Sequence, residues 1–356
     1  MYYALIMAGG SGTRMWPHSR RKSPKQALKL VGDRTMIQHA VDRIVPLFGS
    51  QRIAVVTRDE HRAILAQQTP NLLPANFIIE PEGRGTAPAI GLGAIHLYKQ
   101  DPQAVMAVLT ADHFIADTNS FCAALEKAES IAQQGNLVTL GIKPSFASTG
   151  FGYIKQGAMI SADASFPAYS VEKFIEKPDA ATAAGMLKEG GFSWNSGMFI
   201  WRVDRILEEF KRQMPEFYAQ LMEVAATLGT PDYEKTIARI WPSVVKETID
   251  YGIMEKATGV AVIPVDIGWT DVGSWSSLFE LLPLDENGNA ITGPSITVDT
   301  KNSLLFGDKR LIATIGLDGF IVVDTDNALL ICPKDREQDV REVVKRLEKG
   351  KMDTWL

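Results

Sequence analysis

The apolar run Ala4-Leu5-Ile6-Met7-Ala8 passes without a spacer into Gly9-Gly10-Ser11-Gly12-Thr13-Arg14. This junction restricts the fold more than any other part of the chain. A strand that ends in glycines bares successive backbone N–H groups, and a helical turn opening behind them attracts anions. Arg14, and Lys25 in Pro24-Lys25-Gln26, add two full positive charges, so the loop suits a triphosphate. It is not a Walker loop, because the spacing of glycine, lysine and Ser/Thr is wrong. It is not a dinucleotide fingerprint either: counted from Gly10, the third glycine position holds Met15. Nor does the next strand supply an acidic ribose contact, since residues 53–57 run into Thr57-Arg58. A nicotinamide enzyme is therefore disfavoured, and a nucleotide site of another kind is expected.

A chain of 356 residues favours two domains, or one large domain with an appendage, and 46% hydrophobic residues supply an ample core. The formal net charge of -5 gives no general attraction to nucleic acid or anionic membranes, so any phosphate site must be a local cluster of cations. Cys122 and Cys332 are the two cysteines, and they read as small buried residues rather than as a disulfide framework or metal ligands. The chain enters a strand at once, without a basic leader, and no apolar stretch approaches the ~20 residues needed to span a bilayer. A cytoplasmic protein is expected, with neither a nucleic-acid nor a membrane partner.

Apolar strand candidates at 3–8, 53–57, 77–80, 105–110 and 137–142 alternate with helical patterns at 35–48 and 119–134, with Gly135 as a stop. That alternation predicts an α/β fold, a largely parallel sheet covered on both faces. After Gly150 the pattern changes to strands at 152–155, 169–176 and 197–201, which suggests a mixed extension closing over the sheet edge. Helical stretches at 203–223 and 250–257 follow. A second shift comes at Asp285-Glu286-Asn287-Gly288-Asn289, beyond which short strands alternate with polar turns. There Val298-Asp299-Thr300-Lys301-Asn302-Ser303-Leu304-Leu305 is echoed by Val323-Asp324-Thr325-Asp326-Asn327-Ala328-Leu329-Leu330. A small β-domain, partly solenoidal, is expected over 286–356, ending in an amphipathic helix with Val340, Val343, Val344 and Leu347.

The segments 9–26, 80–89, 110–113, 174–178, 194–198 and 269–275 together resemble the bacterial mannose-1-phosphate guanylyltransferases, the GDP-mannose pyrophosphorylase branch of the sugar-nucleotidyltransferases. The resemblance implies a Rossmann-like, GT-A-like catalytic domain over 1–285. It also implies a C-terminal domain, 286–356, for packing or dimerisation. Many members carry a further isomerase domain; this chain is too short to hold one, so a single-function enzyme is expected. The implied reaction joins GTP and mannose 1-phosphate into GDP-mannose and pyrophosphate, with Mg2+ as cofactor and a homodimer as the assembly. Two alternatives stay open: another nucleotide or sugar phosphate, such as a heptose, and a catalytically silent binding subunit.

Such chemistry aligns two mutually repelling anions and neutralises the leaving group, so it calls for Lys, Arg, Asp and backbone amides. Arg14 and Lys25 are expected on the triphosphate. The surrounding nucleotide contacts are assigned by resemblance to Ala8, Gly9, Gly10, Ser11, Gly12, Thr13 and Ala111, and to Glu80, Arg84, Gly85, Thr86 and Ala87. Gly85 replaces the asparagine usual in the family. Asp112 ends the strand at 105–110, where open α/β sheets bind ligands, and Asp271 lies in the turn Gly268-Trp269-Thr270-Asp271-Val272-Gly273. The resemblance pairs them as the metal ligands; read alone, each is an ordinary loop aspartate. Glu176 and Lys177, in Phe174-Ile175-Glu176-Lys177-Pro178, are assigned to the sugar phosphate together with Gly152, Glu172 and Asn195. The five histidines, His113 among them, read as surface or structural residues.

Overall fold

The computed structural model describes residues 1–10 and 12–356; Ser11, one of the expected nucleotide contacts, lies outside the described residues. Strand alternation organises the molecule from its first element. Along β1 (Tyr2–Met7), Ala4 and Ile6 face one core while Tyr3 and Leu5 face another. With β2 (Ile53–Arg58), β3 (Phe77–Glu80) and β4 (Val105–Thr110) it forms a parallel set in the order β3-β2-β1-β4. The helix Thr118–Ala132 packs Phe121, Leu125 and Ala128 into the first core. Asp117 caps it by accepting the Ser120 amide at 2.9 Å. The helix Thr86–Gln100 contributes Ile90, Leu92 and Ile95 to the second.

After the short β5 (Phe114–Ile115), five strands complete a nine-stranded mixed sheet: β6 (Leu137–Ile142), β7 (Tyr153–Ser161), β8 (Ala168–Ile175), β9 (Phe192–Arg202) and β10 (Val260–Val265). β9 runs antiparallel between β4 and β6, whereas β6 and β10 are parallel. β7 pairs with β8 and also returns to β9, so this half of the sheet folds over on itself as the strand pattern suggested. The helical stretches are shorter than their apolar periodicity implied. That at 35–48 splits into Met36–Asp42 and Val45–Phe48, the second holding Pro46 in its first turn. That at 203–223 splits into Val203–Gln213 and Pro215–Thr227, because Pro215 starts a helix but cannot continue one. At 250–257 the structure forms one π-helical turn, Asp250–Met254.

A two-residue strand, β11 (Trp269–Thr270), pairs antiparallel with β5. The C-terminal region follows as β12 (Ala290–Thr292), β13 (Ser295–Val298), β14 (Leu304–Phe306), β15 (Ile312–Ile315), β16 (Phe320–Asp324) and β17 (Leu329–Pro333). β12, β14 and β16 stack in parallel, as do β13 and β15, the arrangement of solenoid rungs. The sequence echo does not set that stacking. Leu304 lies over Ile321 rather than beside Leu329, because a turn closed by Thr325 N–H to the Ala328 carbonyl reverses β17 onto β16.

This region shares one core with the segment that follows the glycine turn. Leu304, Phe306, Ile321, Val323 and Val340 pack with Met15, Trp16, Leu28, Met36 and Trp275. The Trp16 indole N–H donates to the Trp355 carbonyl at 2.7 Å, and the Trp275 indole to the Trp16 carbonyl at 3.1 Å. Among the described residues no helix is long and apolar enough to cross a membrane.

Candidate active site

The glycine turn leaves β1 with its first residue still tied to the sheet. The Ala8 amide donates to Val56 and its carbonyl accepts from Thr57 Oγ1, so its backbone is engaged by the fold. Ala111 is fixed likewise, by donation to the Met7 carbonyl. Beyond Ala8, the Gly10 carbonyl accepts from the buried Gln26 amide at 3.2 Å. Gly12, at φ 60, opens a 3-10 turn over Thr13–Met15 that carries Arg14. The Arg14 guanidinium lies near the Asp271 turn: a Cβ placed on Gly273 meets Asp271 Oδ2 at 2.4 Å and Arg14 Nη1 at 3.2 Å.

Lys25 draws the two acidic positions together. Its side chain is 5% exposed, and its Nζ donates to Asp112 Oδ2 at 2.9 Å and to the Asp271 carbonyl at 2.8 Å. The β5–β11 pairing explains why residues so distant in sequence meet, since it sets the segment after Asp112 against the segment before Asp271. Burial, the largest influence, raises the Asp112 carboxyl, but the Lys25 ammonium, His113 and the hydrogen bonds to it together hold the group below its ordinary range. The Asp271 carboxylate accepts the Gly273 amide at 3.0 Å. His113 lies in the same shell and accepts from the Trp269 indole at 3.1 Å; burial lowers it to about 4, so it is neutral at pH 7.

At the sugar-motif end, Lys177 adopts φ 45 just beyond β8 and ion-pairs with Glu176, which is 9% exposed. Glu176 Oε2 is buried without a hydrogen-bond partner. It occupies the space beside residue 152: a Cβ on Gly152 would meet it at 2.4 Å, so a side chain there would have to displace the carboxylate. Asn195 donates through its backbone to the Gly152 carbonyl at 2.8 Å, and through Nδ2 to Asp250 Oδ1, also at 2.8 Å. Asp250, which sequence reasoning missed, belongs to this group. It sits in a plain Ile-Asp-Tyr context that carries no motif signal.

The loop from Glu80 is held from both sides. Glu80 accepts the Arg84 amide at 2.8 Å, and burial, the largest influence on its carboxyl, pushes it up to about 7. Gly85 adopts φ 94, and a Cβ there meets the Glu247 carbonyl at 2.2 Å, so this conformation admits neither asparagine nor alanine. Ala87 donates to the same carbonyl, and the Ile249 amide donates to Thr86 Oγ1 at 2.8 Å. The Arg84 guanidinium is engaged by Glu82 and the Pro242 carbonyl, both at 2.7 Å, and so braces the loop.

Thr86, Thr110, Gly152, Glu176, Asn195, Asp250 and Asp271 line one cleft of about 200 Å³. Lys25 and Asp112 adjoin it through Asp271, and Lys177 through Glu176. Glu172 does not join them. It is 59% exposed and faces Lys155 at 3.7 Å, because four residues of strand carry it roughly 13 Å from Glu176. A larger cavity of about 490 Å³, beside Tyr169, Met186 and Phe192, contains none of the expected site residues.

Open mixed α/β architecture, an anion-attracting loop and a convergent acidic pair define a nucleotidyltransferase-type site. Residues 3–288 match the nucleotidyl transferase family, to which the chain belongs, and residues 293–347 match the MannoseP isomerase/GMP-like beta-helix domain. The xanthan biosynthesis protein XanB of Xanthomonas campestris pv. campestris strain B100 is 43% identical over 357 residues, 99% of this chain and 74% of that protein. A mannose-1-phosphate guanylyltransferase of Escherichia coli K12 is 39% identical over 352 residues, 97% of this chain and 73% of that protein. A crystal structure described as a mannose-1-phosphate geranyltransferase from Thermus thermophilus superposes with a TM-score of 0.88 at 33% identity, covering 98% of this chain and 99% of that one.

Proposed function

We propose that the protein transfers GMP from GTP to mannose 1-phosphate, forming GDP-mannose and pyrophosphate. The observation that carries this reading is the single ammonium of Lys25 bridging the Asp112 carboxylate and the Asp271 backbone carbonyl at the edge of a cleft whose other wall is Glu176, Asn195 and Gly152. A phosphate oxygen of the sugar phosphate forms a bond to the α-phosphorus. The bond from that phosphorus to the β-bridging oxygen breaks, and pyrophosphate leaves with the electron pair. Arg14 and Lys25 neutralise the triphosphate, the amides from Gly9 to Thr13 cradle it, and Lys177 holds the incoming phosphate. Two carboxylates offering hard oxygen donors, with little else from the protein, suit Mg2+. Asp112 and Asp271 would hold that ion, which supplies charge neutralisation on the phosphates. Among the described residues no cluster of three or more acidic, His or Cys side chains offers a fuller cage.

Pyrophosphate release measured over a matrix of nucleoside triphosphates and sugar 1-phosphates tests the assignment. GTP with mannose 1-phosphate is expected to give the highest kcat/KM. Asp112→Asn or Asp271→Asn should abolish the metal-dependent rate. A higher rate with another pair would overturn the substrate assignment while leaving the reaction class.

The reading extends to a cytoplasmic homodimer. Ile296, Val298, Leu311, Leu329 and Ile331 are exposed on the solenoid, and Ile315 is 78% exposed. This apolar face is suited to self-complementary contact with a second copy. Ile315→Glu should leave a monomer by light scattering; an unchanged mass would remove that face from the assembly.

A further inference from the structure

The cleft holds a second carboxylate facing Glu176, and the assigned sugar contacts do not account for it. Asp250 is placed from the nucleotide side. The segment before it lies along the loop at 84–87: Glu247 N–H donates to the Arg84 carbonyl at 3.0 Å, and Ile249 N–H to Thr86 Oγ1 at 2.8 Å. The next residue begins the π-helical turn, a geometry concentrated at functional sites. Its carboxylate then meets Asn195 Nδ2 at 2.8 Å across the cleft.

Two acidic groups in one cleft repel each other. Burial first, and then the facing Glu176, push Asp250 up to about 6, against the Asn195 hydrogen bond and the Lys177 charge. Lys177 is 59% exposed and reaches Glu176 rather than lying between the two. Glu176 Oε2, enclosed at the same point, has no donor among the described residues. Converging acceptors of this kind match a ligand end rich in O–H donors and free of negative charge, and they turn a phosphate away toward the lysines.

Resting on the reading that this end of the cleft receives the sugar, we propose that Asp250 is a sugar-contacting residue. Its carboxylate accepts a hydroxyl hydrogen beside the one taken by Glu176. The pair thereby orients the sugar with its phosphate toward Lys177 and Lys25. Because Asp250 follows directly on the segment bound to Thr86, the nucleoside loop and the sugar contact form one connected unit.

The test compares wild type with Asp250→Asn, whose side-chain oxygen still accepts from Asn195. A hydrogen bond to a charged group contributes enough that the KM for the sugar phosphate should rise about tenfold or more. KM for the nucleotide should stay within about twofold and the melting temperature should hold. Repeating the comparison with a set of monodeoxy sugar 1-phosphates provides the second readout. For one analogue the gap between variant and wild type should vanish, since the hydroxyl that Asp250 reads is missing. Equal gaps for every analogue, or an unchanged KM for the sugar, would overturn the proposal and leave Asp250 a support for Asn195. Asp250→Ser supplies the same comparison if the asparagine variant folds poorly. The proposal is judged on the ratio of variant to wild type with whichever sugar phosphate is turned over. A wrong sugar is thus distinguished from a wrong residue, and failure of every sugar phosphate would defeat both readings.

Discussion

Lys25 reaches both acidic positions from one enclosed point, and its two roles separate under mutation. Lys25→Met preserves bulk but removes the charge, so turnover should fall about 10²–10³-fold, the range for losing one preorganised electrostatic donor. The variant also leaves Asp112 without its counter-charge. In the wild type that pairing stabilises the fold above the ordinary carboxylate range near ~3.9, and the benefit fades as pH falls through the depressed value. Melting curves of the variant should lose this acid-range dependence and lie lower at neutral pH. Glu80 has the opposite sign. Its carboxyl is raised to about 7, so the folded state binds a proton that the unfolded chain has released, and stability declines as pH rises from the ordinary carboxylate range toward 7. Glu80→Gln should raise the melting temperature at pH 8 and change it little at pH 4. These residue types were legible in the sequence as chemistry, but their meeting was not. Lys25 is separated from Asp112 by 87 positions and from Asp271 by 246, and the two-residue strands that unite them are too short to leave a pattern.

Elements buried on both faces were the most legible. β3, β4 and β6 occupy the ranges their apolar runs predict, because a strand whose two faces are both covered is nearly apolar throughout and turns must bound it. β7, expected at 152–155, runs on to Ser161, with a half-exposed face and shifts in register that break the alternation. In the helices, periodicity continued across Pro46 and Pro215 where the backbone could not. The loop at 84–87 shows an element fixed by a remote partner. Its glycine stands where the family usually has asparagine, and the structure gives it a steric reason in the Glu247 carbonyl. Gly85→Ala must displace the 247–250 segment, and with it the Asp250 carboxylate. Both substrates' KM values should therefore rise together. An effect confined to the nucleotide would show that the two walls move independently.

Across the whole molecule, the C-terminal solenoid belongs to the same packing unit as the glycine turn. Met15 and Trp16 share a core with rung residues, and Arg20 donates to the carbonyls of Pro17 at 2.7 Å and Thr354 at 3.3 Å. Trp275, four residues beyond Asp271, is bonded to Trp16 in turn. The brace on Trp16 was not legible in the tail from its sequence, since it is a backbone carbonyl, which every residue carries. Trp16→Phe keeps the ring but deletes the donor to Trp355. Looser placement of Arg14 should then lower kcat/KM for the nucleotide several-fold, with KM for the sugar phosphate unchanged in steady-state assays. The bond it removes closes a span of 339 positions, so the early partner must wait for the late one. On a translating ribosome, the glycine turn would emerge early and remain unbraced until the segment around Trp355 cleared the exit tunnel. Activity should accordingly appear only once that segment has emerged, and nascent chains stalled before it that already display the entire large sheet should transfer nothing.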